Sequence, residues 1–98
     1  MFEFEGHMYE FRYTLKSIEQ IEAVTKSSII DLAQSAPPIT TMKHMLVFAL
    51  YNEEGNRIGN KRGMEVAEGL IRQYGLLKCF EESVTQIMED CPFLFQNA

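Results

Sequence analysis

Apolar and polar positions alternate at the start of the chain and then change period. Phe2-Glu3-Phe4-Glu5 and Met8-Tyr9-Glu10-Phe11-Arg12-Tyr13 flank Gly6-His7. Successive side chains of a strand point to opposite faces, so the two runs predict one β-hairpin turning at Gly6-His7. Phe2 and Phe4 share a face, as do Tyr9, Phe11 and Tyr13, whereas Glu3, Glu5, Glu10 and Arg12 fall on the other. An isolated two-stranded hairpin is marginal in water. The aromatics must therefore be covered, either by the chain's own helices or by another subunit. That choice separates a self-contained globule from an assembly protein.

Beyond the hairpin the apolar period is helical. Thr14 or Ser17 can cap a first helix to about Val24, with Leu15, Ile18 and Ile21 on its buried side. Thr25-Lys26-Ser27 marks a break, and Ser27 or Ser28 can cap a short second helix through Ile29, Ile30, Leu32 and Ala33. Pro37-Pro38 stops it, because proline disfavours helical backbone in the residue before it. Thr40 or Thr41 then caps a third helix from about Met42 to Glu53. Met42, Met45, Leu46, Ala49 and Leu50 form its stripe, and Val47, Phe48 and Tyr51 widen that stripe to much of the circumference. A surface helix carries one apolar stripe. This one is expected either at the centre of the core or covered on its second side by a partner.

Asn52 to Asn60 is a run of turn residues and reads as a loop. Asn60 can cap a fourth helix to about Tyr74, with Met64, Ala67, Leu70, Ile71 and Tyr74 inward and Glu68 facing Arg72 outside. Gly75 fits a helix stop. A fifth helix, with Leu76, Leu77, Phe80, Val84, Ile87, Met88 and Cys91 inward, then runs to Pro92. The apolar tail Phe93-Leu94-Phe95 is expected to dock on the chain's own core or on a neighbour. The expected fold is α+β and mostly α: a hairpin over 2–13 packed on a bundle of about five helices over about 15–91, in one domain spanning 1–98.

Composition changes the picture mainly by exclusion. The net charge is −5 and no basic block exceeds Lys61-Arg62. Duplex nucleic acid is bound largely by neutralising phosphates, so no nucleic-acid partner is expected. Cys79 and Cys91 fall in one predicted helix, too far apart along it to pair. They read as buried free thiols in a reducing compartment. No basic-then-apolar leader and no bilayer-length apolar run is visible, so a cytoplasmic, non-membrane protein is expected.

Candidate chemistry is sparse. His7 and His44 have no cysteine or second histidine at ligand spacing, so neither a metal nor another cofactor is expected. A Cys-His nucleophile would need the fold to bring His7 or His44 to Cys79 or Cys91. Gly55, Gly59 and Gly63 lack the Lys-Ser/Thr ending of a phosphate loop. Asn52-Glu53-Glu54 and Asn56 do not follow calcium-loop spacing. Glu81-Glu82 and Glu89-Asp90 read as solvated helix faces, and Met42 and Met45 as core filling.

Several local phrases carry a family likeness. Phe2 to Tyr13 follows a Phe-x-Phe-x-Gly-x-x-Tyr-x-x-x-Tyr pattern. Ile18-Glu19-Gln20-Ile21-Glu22 precedes the Thr-Lys-Ser break and an Ile-Ile-Asp-Leu helix. Gly63-Met64-Glu65 lies at the start of the fourth helix, and Asp90-Cys91-Pro92-Phe93-Leu94-Phe95 closes the pattern. In these features the chain resembles the tail assembly chaperones of long, non-contractile-tailed phages and prophages of Gram-positive hosts. The resemblance implies a small, mostly helical, non-enzymatic protein that coats the tape measure protein, keeps it soluble and promotes tail tube assembly around it. It further implies a homo-oligomer in the host cytoplasm, absent from the mature virion, and contact with the tail tube protein through a longer frameshifted form.

On this reading the candidate self-assembly and client-binding residues are Phe2, Phe4, Tyr9 and Phe11 of the hairpin, Val47, Phe48 and Tyr51 of the third helix, and Phe93, Leu94 and Phe95 of the tail. Phe48→Asp is then expected to abolish assembly and leave a folded monomer. Two other classes fit the composition: a small acidic regulatory or decoy protein that binds a basic partner, and a small enzyme using Cys79 or Cys91.

Overall fold

A computed structural model of the protein describes residues 1–95 and has an α+β, mostly α architecture. Strands β1 (Phe2–Phe4) and β2 (His7–Phe11) pair antiparallel, with Phe2 opposite Tyr9 and Phe4 opposite His7. The turn is Glu5-Gly6, one residue earlier than the sequence pattern suggests. Both residues have positive φ, 52° and 81°, which matches the backbone of the two-residue turns that suit the twist of a hairpin. The Gly6 amide also donates to Glu3 Oε2 at 2.7 Å, fastening the turn.

Helix α1 (Leu15–Thr25) starts at a reciprocal cap. The Thr14 side chain accepts from the Ser17 amide, and the Ser17 hydroxyl accepts from the Thr14 amide. Both candidate caps are therefore used, together satisfying two donors that a helix start leaves without partners. The helix ends at Lys26, whose backbone is left-handed with φ 59°. Helix α2 (Ile29–Leu32) is capped by Ser28, which accepts from the Asp31 amide.

The expected third helix is two elements. Helix α3 (Ile39–Val47) starts directly after Pro38 without a side-chain cap, so Thr40 and Thr41 lie inside it. It stops at Val47 rather than continuing to Glu53, and Leu50–Tyr51 become strand β3. This strand pairs with β2, Glu10 opposite Tyr51 and Phe11 opposite Leu50, to give a three-stranded sheet ordered β1-β2-β3. The breadth of the apolar run now has its reason. Val47 to Leu50 cross the core as the chain reverses, and all four are buried. No second face of a continuous helix is presented.

Helix α4 (Asn60–Tyr74) begins after Gly59, so Asn60 is its first residue rather than its cap. Gly75, at φ 93°, joins it to α5 (Leu76–Asp90), and a short 3-10 turn, Pro92–Leu94, follows. Leu15, Leu77 and Met88, expected inward, are exposed. Their helices pack on the core from one side, and these positions fall beyond the contact.

The sheet lies on α4 through aromatic packing. The Phe2 ring stacks on Phe11 with centroids 4.9 Å apart and meets Tyr74 edge-on at 4.9 Å. The Tyr74 hydroxyl accepts from the Glu3 amide at 3.0 Å, so a helix side chain also satisfies the sheet edge. Phe4 occupies the space above Gly69: an added Cβ there would lie 2.0 Å from the ring. Gly69→Ala must expel Phe4 or bend the helix. Overpacking of this kind costs ~1–3 kcal/mol, and thermal denaturation should show the loss. With Phe4→Ala already in place the same change should become stabilising, because alanine is the better helix former by about 1 kcal/mol.

Candidate interaction surfaces

Tyr13 determines which aromatics are available at the surface. It follows β2 and is buried, and its hydroxyl lies 2.9 Å from the Met45 carbonyl and 2.5 Å from the Ser83 hydroxyl. A carbonyl only accepts, so the phenol donates to Met45 and Ser83 donates to the phenol. Met45 lies in the last turn of α3, where carbonyls run out of helical partners. The Tyr13 amide donates to Asp90 Oδ2 at 2.9 Å, and Cys91 Sγ–H donates to the Tyr13 carbonyl at 3.6 Å. One residue thus binds the end of the sheet to α3 and to both the middle and the end of α5.

With the sheet held this way, most of the candidate interface residues lie inside. Phe2, Tyr9, Phe11, Val47 and Phe48 belong to the core. The hairpin aromatics are thus covered by the chain's own helices. Phe4 is half-buried between Gly69 and the Arg62 guanidinium, 5.6 Å above its ring. Tyr51 is half-buried with Arg12 stacked 5.2 Å from its centroid. In the tail, Leu94 packs against the core, while Phe93 and Phe95 are exposed.

The structure exposes two α5 residues that the sequence pattern assigned to the interior, along with the tail candidate Phe93. Leu77 and Met88 are 61% and 52% exposed on α5, and Phe93, just past its end, is 49% exposed. Leu77, Val84 and Met88 are spaced to share one side of the helix. Glu81 and Glu89 on the same helix make no ion pair among the described residues, whereas Glu82 is held by Lys78 at 2.9 Å.

The groups that could carry covalent chemistry lie apart. His7 Nδ1 contacts Glu53 at 3.1 Å, and His44 Nδ1 donates to the Thr40 carbonyl at 2.9 Å. Cys79 and Cys91 are free and buried. Burial pushes the Cys79 thiol up to about 11, and burial together with the Asp90 carboxylate raises Cys91. Reactive thiols are normally shifted the other way. Among the described residues no group of three or more histidine, cysteine or acidic side chains is placed to hold a metal ion, and no helix is long and apolar enough to cross a membrane. One cleft of about 260 Å³ lies beside His7, Glu53 and Arg62, and another of about 140 Å³ beside Lys16 and Arg57. Comparison with protein-family models, curated proteins and solved structures gives no match.

Two outcomes follow. Phe48 is 7% exposed, so Phe48→Asp tests folding rather than assembly. Loss of a buried phenylalanine alone costs about 3–5 kcal/mol, and urea denaturation should find the variant largely unfolded instead of monomeric and folded. Alkaline pH should also unfold the protein. Burial raises the Tyr13 phenol from its ordinary 10.0 and the Cys79 thiol from 9.0. A group whose folded pKa is raised contributes stability that is fully present below its unfolded pKa and is lost as pH rises through the folded value. Stability measured by denaturant titration should hold below pH 9 and fall steadily through pH 11.

Proposed function

We propose that the protein is a non-catalytic assembly chaperone of long, non-contractile phage tails. It binds and coats the tape measure protein by reversible, stoichiometric contact and acts as a homo-oligomer in the host cytoplasm. The observation that carries the reading is the exposed apolar strip of Leu77, Met88 and Phe93 on α5 and the turn after it. Large apolar side chains left in solvent along one side of a helix are suited to contact with another protein. The family likeness of the hairpin, the fourth-helix start and the closing segment supplies the identity of the client.

The contact surface in this reading differs from the one that the sequence pattern favours. The hairpin and Phe48 serve the monomer's own core, and the client or neighbouring subunit meets α5 and the exposed tail residues Phe93 and Phe95. The unpaired Glu81 and Glu89 beside the strip favour a client segment with basic residues flanking its apolar ones. The two remaining elements of the reading are contact with the tail tube protein through a longer form and absence from the mature virion. Both rest on the resemblance.

Sedimentation of the co-expressed protein and tape measure protein, across a concentration series, is the test. Leu77→Asp and Met88→Asp should leave the melting temperature within a few degrees, as exposed substitutions do, and should remove the chain from the co-sedimenting complex. A strict monomer that ignores the tape measure protein would overturn the reading and favour a regulatory or decoy role.

A further inference from the structure

The second feature of the surface is a cationic cleft in an acidic protein. It is lined by Thr14, Lys16, Ser17, Gln20, Phe48, Tyr51 and Arg57, and no carboxylate is among them. The chain carries 14 acidic and 9 basic side chains, so most cations are expected to find acidic partners. Arg12, Lys43, Arg62, Arg72 and Lys78 do. Among the described residues Lys16 and Arg57 make no ion pair, yet they line the same cleft.

Arg57 is also held in place. Its Nε donates to the Phe48 carbonyl at 3.3 Å, its Nη2 donates to Asn60 Oδ1 at 2.9 Å, and its guanidinium lies 5.8 Å from the centre of the Phe48 ring. These contacts fix the planar fork and leave the two Nη1 hydrogens and one on Nη2 to donate to a ligand. A donor ordered before binding loses less entropy on binding. Lys16 supplies a second charge, and the Gln20 amide a neutral donor, on the same wall. The Thr14–Ser17 cap satisfies the amides of Thr14 and Ser17, and the full positive charges at the cleft are those of Lys16 and Arg57. A volume of about 140 Å³ admits one small group, not an extended ligand.

We propose that this cleft binds a compact oxyanion, a carboxylate or a phosphate group, between Lys16 and Arg57. The inference does not rest on the assembly reading, and its failure would leave that reading intact.

Proton–nitrogen NMR titration of the full chain tests it, with sodium phosphate in one series and a short glutamate-bearing peptide in the other. The expected result is a saturating shift at the Arg57 Nε–H and Gln20 side-chain signals in at least one series. Backbone signals at Lys26 and Lys61, which also lack ion pairs among the described residues, should stay still. Tighter binding of the peptide assigns the cleft to protein carboxylates, and tighter binding of phosphate assigns it to phosphate-bearing ligands. Lys16 makes no side-chain hydrogen bond or ion pair among the described residues. Lys16→Gln should therefore keep the melting temperature and weaken binding about two- to fivefold, the scale of a partly exposed charge pair. Added salt should weaken it further. Shifts that stay linear with concentration in both series, that appear equally at Lys26 and Lys61, or that survive Lys16→Gln unchanged would overturn the proposal.

Discussion

A phenol in the interior holds three parts of this protein in register. Tyr13 leaves the sheet, enters the core and finds one acceptor on α3 and one donor on α5. In net terms each hydrogen bond is worth only about 1 kcal/mol, but leaving a buried polar group without its partner costs ~1–3 kcal/mol. A misplaced sheet would strand the phenol, the Ser83 hydroxyl and the Met45 carbonyl together. Among the described residues no buried side-chain nitrogen or oxygen lacks a partner. The aromatic face of the hairpin is therefore both attracted to the helices by apolar burial and positioned on them by polar bonds. Apolar contact alone is non-directional, so the bonds specify the position.

This constraint explains the division between interior and surface. Once Tyr13 fixes the sheet, Phe2 stacks on Phe11 and reaches Tyr74, and Phe4 reaches the bare backbone at Gly69. Val47 to Leu50 then fill the space between sheet and helices, and Leu50–Tyr51 complete the third strand. What remains outside is set by the same geometry. Helix α5 meets the core along Cys79, Ser83 and Ile87, and its opposite side keeps Leu77 and Met88 in solvent. The cationic cleft likewise exists because the chain reversal at Phe48 brings Arg57 up to the start of α1.

Much of this order is legible in the sequence, and the exceptions share a cause. Alternation gives β1 and β2, the Thr14 cap and Ile18-Ile21 spacing give α1, and Gly75 separates α4 from α5, because each of these signals is local. The strand at Leu50–Tyr51 is not local. Its two residues are strand only because Glu10 and Phe11 lie beside them, and in the sequence they extend a helical apolar stripe. The burial of Phe48 and the exposure of Leu77 are hidden for the same reason, since each depends on where distant elements pack. The interface candidates at Phe2, Tyr9, Phe11, Val47 and Phe48 were chosen for apolarity, and apolarity does not distinguish a core residue from a contact residue. Phe93 and Phe95 lie at the surface, beyond the end of the last packed helix.

The isolated chain closes its aromatic hairpin with its own helices. Amide hydrogen exchange on dilute, monomeric protein tests this most directly, because amides that open only on global unfolding exchange far more slowly than those of a frayed edge. The amides of Tyr9 and Tyr13 should exchange at the rate of the slowest amides of α4, independent of protein concentration. Fast exchange at Tyr9 and Tyr13 in the monomer, with protection appearing only as concentration rises, would show that another subunit covers the hairpin and would contradict this closure.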